Sequence, residues 1–194
     1  MTPQDIEQEA GWLYLSVGMA LTTWSGVEFA LSRLFAQSIE PKSFHPTFSQ
    51  SVSERAFWGV ASFEAKLKMV SETFTEAYFS HQEFLKIWTN LENRLRKSNK
   101  YRNKVAHGTV IQHNQGQPDN SIITTVYFAP YYWNLEAKSG RMFIPTTNVE
   151  SERLSYRDIQ SAIQRFKTLK DEICALSVKI FQTMQPTANL SSWP

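Results

Sequence analysis

Cysteine is almost missing from this chain: Cys174 stands alone among 194 residues. One thiol makes no internal disulfide, and nowhere do Cys and His fall at zinc-ligand spacing. A reducing cytoplasm is the compartment that such usage fits. An excess of charge is missing too. Against 20 Lys and Arg stand 18 Asp and Glu, a net charge of +2. That balance excludes a polycation that coats nucleic acid, so any nucleic-acid site has to be local. Long apolar runs are absent. The most apolar stretch, Trp12 to Leu21, is too short and too interrupted to span a bilayer. The opening MTPQDIEQEA is acidic and polar, unlike a signal peptide. There is no repeat, no low-complexity tract, no phosphate-binding glycine loop, no H-E-x-x-H and no G-x-S-x-G. No metal or other cofactor is expected.

What is present is material for a core: 42% apolar residues and 13% aromatic ones. One domain over residues 1–185 is expected, with a loose tail over 186–194. Four long helical segments follow from periodicity. The first runs from about Pro3 to Gln37, with Thr2 as cap and Val17, Ala20, Trp24, Val27, Leu31 and Leu34 as its apolar stripe. Gly18 and Gly26 mark either a close approach of another backbone or a break. After a loop at Pro41 and Pro46, the capping box Ser51-Val52-Ser53-Glu54 opens a second helix that ends near Phe79 and buries Phe63, Leu67, Val70 and Phe74. A second such box, Ser80-His81-Gln82-Glu83, opens the third. It carries Phe84, Ile87, Trp88, Leu91 and Leu95 and runs through His107, where Gly108 stops it by turning left-handed.

The pattern then changes. Thr109 to His113, Ser121 to Ala129 and Arg141 to Ile144 are β-branched and aromatic, separated by turn residues. They predict a small meander at about 109–147. Ser155 starts the last helix, with Leu154 and Ile159 as a hydrophobic staple and Ile163, Phe166, Ile173, Leu176 and Ile180 on its buried face. Pro186 closes it. The expected fold is mainly α: an antiparallel four-helix bundle with a small antiparallel β insert between the third and fourth helices.

The chemistry concentrates at the end of the third helix. Arg102 follows Leu95 by seven residues and Leu91 by eleven, so it shares their face. Asn103 and His107 stand four apart on an adjoining face. Around them lie Arg94, Arg96, Lys97, Lys100 and Lys104, and no acid occurs between Asn93 and Pro118. Such a group suits a phosphodiester. Arg stabilises negative charge on a phosphoryl group, His moves protons near neutrality, and Asn orients either. RNA brings its own nucleophile, the 2′-hydroxyl, so no metal is required. Arg94, Lys97, Lys100 and Lys104 are candidate phosphate contacts. Glu28 leans toward the apolar side of the first helix and is the expected ion-pair partner that orients Arg102.

Arg102-Asn103-Lys104-Val105-Ala106-His107 resembles the R-x4-H motif of the HEPN superfamily, in its version with Asn directly after Arg. The helical pattern is similar as well, apart from the β insert. The resemblance implies a homodimer in which two motifs meet across a cleft, and a metal-independent endoribonuclease of toxin or defence type. Arg102, Asn103 and His107 would be the catalytic set. RNA would be the substrate, with an antitoxin or another protein as partner, and no membrane. Two other readings remain: a non-catalytic HEPN-like module that binds RNA, a nucleotide or a protein, and a plain helical dimerisation protein.

Other side chains receive blander readings. Tyr127, Phe128, Tyr131, Tyr132, Trp133 and Phe143 either stack on bases or hold the meander in place. His45, His81 and His113 are surface or capping residues, with His113 a distant candidate for the site because it lies close in sequence to the motif. Glu72 and Glu76 are surface carboxylates, and Cys174 is core or near-core.

Overall fold

The computed structural model describes residues 3–40, 51–116, 122–130 and 153–184. Five helices and a two-stranded antiparallel sheet occupy them: α1 (Pro3–Ile39), α2 (Val52–Gly59), α3 (Phe63–Ala77), α4 (Gln82–Ala106), β1 (Gly108–Gly116), β2 (Ile122–Pro130) and α5 (Tyr156–Met184). The protein is mainly helical, as its periodicity predicts. None of the described helices is long and apolar enough to cross a membrane. The expected strand at 141–144, the Thr2 cap, the loop at Pro41 and Pro46 and the tail lie outside the described residues.

Local signals explain most boundaries. The Ser51 capping box is present: its hydroxyl accepts from the Glu54 N–H, and the Glu54 carboxylate accepts from the Ser51 N–H. The helix it opens is shorter than expected. It stops at Gly59, Val60 turns extended, and Ser62 caps α3 through the Ala65 N–H. A hydroxyl at Ser62 competes with helix continuation by offering α3 its own start. Ser80 does not begin α4. The His81 carbonyl accepts the first helical N–H groups, from Phe84 and Leu85. At α5, Ser155 and Asp158 cap each other reciprocally, and the staple residues Leu154 and Ile159 are both buried. Cys174, expected near the core, is exposed.

The chain falls into two compact units, Met1–Trp24 with Lys100–Arg165, and Ser25–Asn99 with Phe166–Pro194. In the second, hydrogen bonds fix helix directions. Glu64 on α3 meets Arg96 on α4, and Ser71 meets Trp88, so α3 and α4 are antiparallel. Arg94 and Glu83 on α4 meet Glu172 and Lys179 on α5, so these two are antiparallel as well. By contrast Glu28 and Gln37 on α1 meet Lys66 and Tyr78 in ascending order. This part of α1 runs parallel to α3, a departure from the strictly antiparallel expectation. The long connection containing α2 makes that direction reachable, whereas a short loop would enforce reversal. Phe74 stacks on Trp88 and packs against Tyr78 at the centre of the core.

In the first unit, β1 and β2 pair from Gly108↔Pro130 to Gly116↔Ile122. Phe128 on β2 bridges Leu154 on its other side, through mutual hydrogen bonds of 3.0 and 2.8 Å. Gly108 is needed for a reason other than the expected one. Its backbone is not left-handed. A Cβ built there would lie 2.8 Å from Phe128 Cδ1 and closer still to Cε1 and Cζ. Phe128 is itself buried. Gly108→Ala should therefore destabilise the protein by about 1–3 kcal/mol, the range of overpacked cores. Adding Phe128→Leu should return part of that loss in urea titrations.

Candidate functional site

The last turns of α4 carry the predicted motif. At 3.6 residues per turn, Lys97, Lys100, Asn103, Lys104 and His107 fall within about 120° of one another. Asn103, His107, Lys97 and Lys100 are exposed, and Lys104 is half-buried. Arg102 lies about 140° from His107 on the wheel, on the half-buried flank. Its guanidinium turns back toward the exposed face, where Nη1 donates to Asn103 Oδ1 at 3.0 Å. Asn103 thus bridges the two flanks. The His107 N–H donates to the Asn103 carbonyl at 3.1 Å, so helical bonding continues through the histidine before β1 begins.

The flanking arginines behave differently from the lysines. Arg94 is gripped by both carboxylate oxygens of Glu172, and this fork holds its guanidinium charged. Arg96 donates to Glu64 and Glu92, at 2.6 Å each. The acid-free stretch in the sequence is thus partly neutralised by acids from other helices. Arg94, expected to contact phosphate, has its charge satisfied by Glu172. Lys97 and Lys100 have no ion pair among the described residues. Glu28, expected to orient Arg102, lies on the portion of α1 in the second unit. There its Oε2 accepts from Lys66 Nζ at 2.7 Å, and the ammonium also lies over the Trp58 ring.

Two polar residues beside the motif were not singled out by sequence reasoning. Asn99 is buried; its Nδ2 donates to Glu64, while its Oδ1 has no hydrogen-bond partner among the described residues. The signal for it was its place four residues before Asn103. Tyr101 lies with the Arg165 guanidinium 5.0 Å from its ring centre, and its buried hydroxyl has no hydrogen-bond partner among the described residues. Burial, aided by Asp158 and opposed by Arg165, pushes its phenol up to about 12. The folded state therefore holds the proton more tightly than the unfolded chain, whose phenol titrates near 10. This contribution to stability is whole below pH 10 and is lost as pH rises through 12. Tyr101→Phe should flatten the alkaline loss of stability in that window, and a tyrosinate absorbance titration should lose its latest-titrating step.

The remaining candidates separate cleanly. His81 stacks on Phe84 at the start of α4, and Glu72 pairs with Lys68 on the surface. Tyr127 sits under the Arg153 guanidinium, and Phe128 is core. Tyr131, Tyr132, Trp133, Phe143 and His45 lie outside the described residues. An open cavity of about 570 Å³ is lined by Asp5, Gln8, Glu9, Trp12 and Tyr156. Its two carboxylates repel a phosphate, so it does not compete with the α4 face for RNA. Among the described residues no three His, Cys, Asp or Glu side chains are grouped to hold a metal ion. Although Cys174 is exposed, partial desolvation pushes its thiol up, opposite to an activated nucleophile.

No protein-family model, no curated protein and no solved structure matches the chain.

Proposed function

We propose that the protein is a HEPN-like, metal-independent endoribonuclease of toxin or defence type that acts in the cytoplasm as a homodimer. The observation that carries this reading is the exposed cationic end of α4, where Asn103 ties the Arg102 guanidinium toward the face that holds His107. An RNA phosphate docks there against Lys97, Lys100 and Lys104. The 2′-oxygen attacks phosphorus and surrenders its proton to an imidazole. The P–O5′ bond breaks and the leaving oxygen takes a proton from a second acid. Arg102 stabilises the charge that builds on the phosphoryl oxygens. The products are a 2′,3′-cyclic phosphate and a 5′-hydroxyl. One imidazole per motif favours two copies at the site, one accepting and one donating. An antitoxin or another protein would hold such an enzyme in check. The HEPN-like bundle comprises α1, α3, α4 and α5, with the β insert between α4 and α5.

One observation favours a second reading, a non-catalytic HEPN-like module that binds RNA, a nucleotide or a protein. Among the described residues no side chain hydrogen-bonds the His107 imidazole, so none of them fixes its tautomer. Incubation with single-stranded RNA in EDTA decides between them. The ribonuclease yields cyclic-phosphate ends, whereas salt-dependent binding without cleavage replaces it with the second reading.

A further inference from the structure

α1 has a surface that carries none of the residues assigned above to RNA. From Ala10 to Val27 the sequence holds no charged residue, and the first Lys or Arg of the chain is Arg33. Yet within this stretch Trp12 is 50% exposed, Leu15 53% and Met19 43%. Helices facing water normally cover themselves with charge. The missing cations disfavour RNA, and they equally disfavour an anionic lipid surface, which amphipathic helices meet with Lys and Arg. A protein surface is what remains.

The order of residues on this face says which protein. Counted from Leu15, three steps back is Trp12 and three forward is Gly18; four back is Gly11 and four forward is Met19. Each bulky side chain is thus matched, at the same distance on the other side of Leu15, by a glycine. Gly11 and Gly18 are exposed, and a Cβ on either would meet nothing within 4 Å. Place a second α1 antiparallel on the first, with the two-fold axis through Leu15. Trp12 of each copy then falls on Gly18 of the other, and Met19 falls on Gly11. Seven residues out, exposed Gln8 meets exposed Thr22, a hydrogen-bonding couple at each end of the seam. A two-fold interface requires such self-complementarity, because residue i must fit j while j fits i.

We infer that two copies of this chain associate through α1, antiparallel about Leu15, with Trp12 and Met19 seated over the partner's glycines. The inference rests on the homodimer in the reading above and names its surface. The size is adequate for the centre of an interface. Trp12, Tyr14, Leu15, Met19 and Tyr156 leave on the order of 500 Å² exposed per copy, given about 150–250 Å² for a large side chain. A standard interface takes about 800 Å² from each partner, the rest coming from a polar rim.

Sedimentation velocity at micromolar concentration tests this on the full chain. The wild type should run as a dimer. Leu15→Glu sets two like charges on the axis, and Gly18→Leu fills the gap that receives Trp12. Each should weaken dimerisation at least tenfold. Neither should disturb the fold of the monomer, so the helical circular dichroism should be unchanged, since Leu15 is exposed and a side chain at Gly18 meets open space. In a Cys174→Ser background, Leu15→Cys should form an intermolecular disulfide on mild oxidation. A monomeric wild type, or a dimer indifferent to both substitutions, overturns the seam. RNA cleavage scored on the same samples keeps the two claims apart. A dimer that splits with Leu15→Glu but never cuts RNA retires the ribonuclease and leaves the seam standing.

Discussion

Replacing His107 with alanine should reduce RNA cleavage by about two to four orders of magnitude, the usual contribution of a positioned general acid or base. The unfolding transition should not move. His107 is exposed and follows the last residue of α4, and its structural contribution is a backbone N–H that alanine also has. RNA binding should change little, because Lys97, Lys100 and Lys104 supply the phosphate contacts in this reading. The pattern to look for is therefore a fall in the single-turnover rate with nearly constant affinity. Cleavage that continues at the wild-type rate in His107→Ala removes the histidine from the chemistry. Lys100→Ala should do the converse, weakening binding and lowering its salt dependence.

The second large effect is on stability. Lys66→Met should cost about 3 kcal/mol, read as a lower urea midpoint. Lys66 and Glu28 form a 2.7 Å ion pair whose side chains are only 8% and 11% exposed. Taking the ammonium away removes the ion-pair partner of a buried carboxylate. Such breakage is far costlier than replacing both partners with apolar groups of similar volume. Lys66→Met combined with Glu28→Leu should therefore recover most of the loss. Methionine also suits the neighbourhood, as the lysine head lies 4.6 Å from the centre of the Trp58 ring and 5.3 Å from that of Phe57. A double variant no more stable than Lys66→Met alone would show that loss of the ion pair was not the source of the destabilisation.

Periodicity made the helical faces legible. Leu67, Val70 and Phe74 on α3 and Leu91 and Leu95 on α4 are buried as their spacing predicts. The Ser51 capping box was legible for the same reason, because four consecutive residues contain all of its chemistry. The break between α2 and α3 was harder to see. Apolar residues continue across Gly59 to Ser62, and periodicity alone does not reveal which of two adjacent caps prevails. The exposed side of α1 was invisible in the same way: a list of its apolar residues does not say which remain uncovered.

The sequence by itself determined the buried helical faces, the Ser51 capping box and the row of Lys, Arg, Asn and His at the end of α4, since each depends on residues a few positions apart. Tertiary structure alone decided which of those cations stay available. Glu172 and Glu64 reach Arg94 and Arg96 from other helices, while Lys97 and Lys100 remain exposed. It also decided why position 108 is glycine, through an aromatic ring on the neighbouring strand. Charge compensation and steric exclusion act through space, and no spacing along a chain encodes the partner that folding will bring.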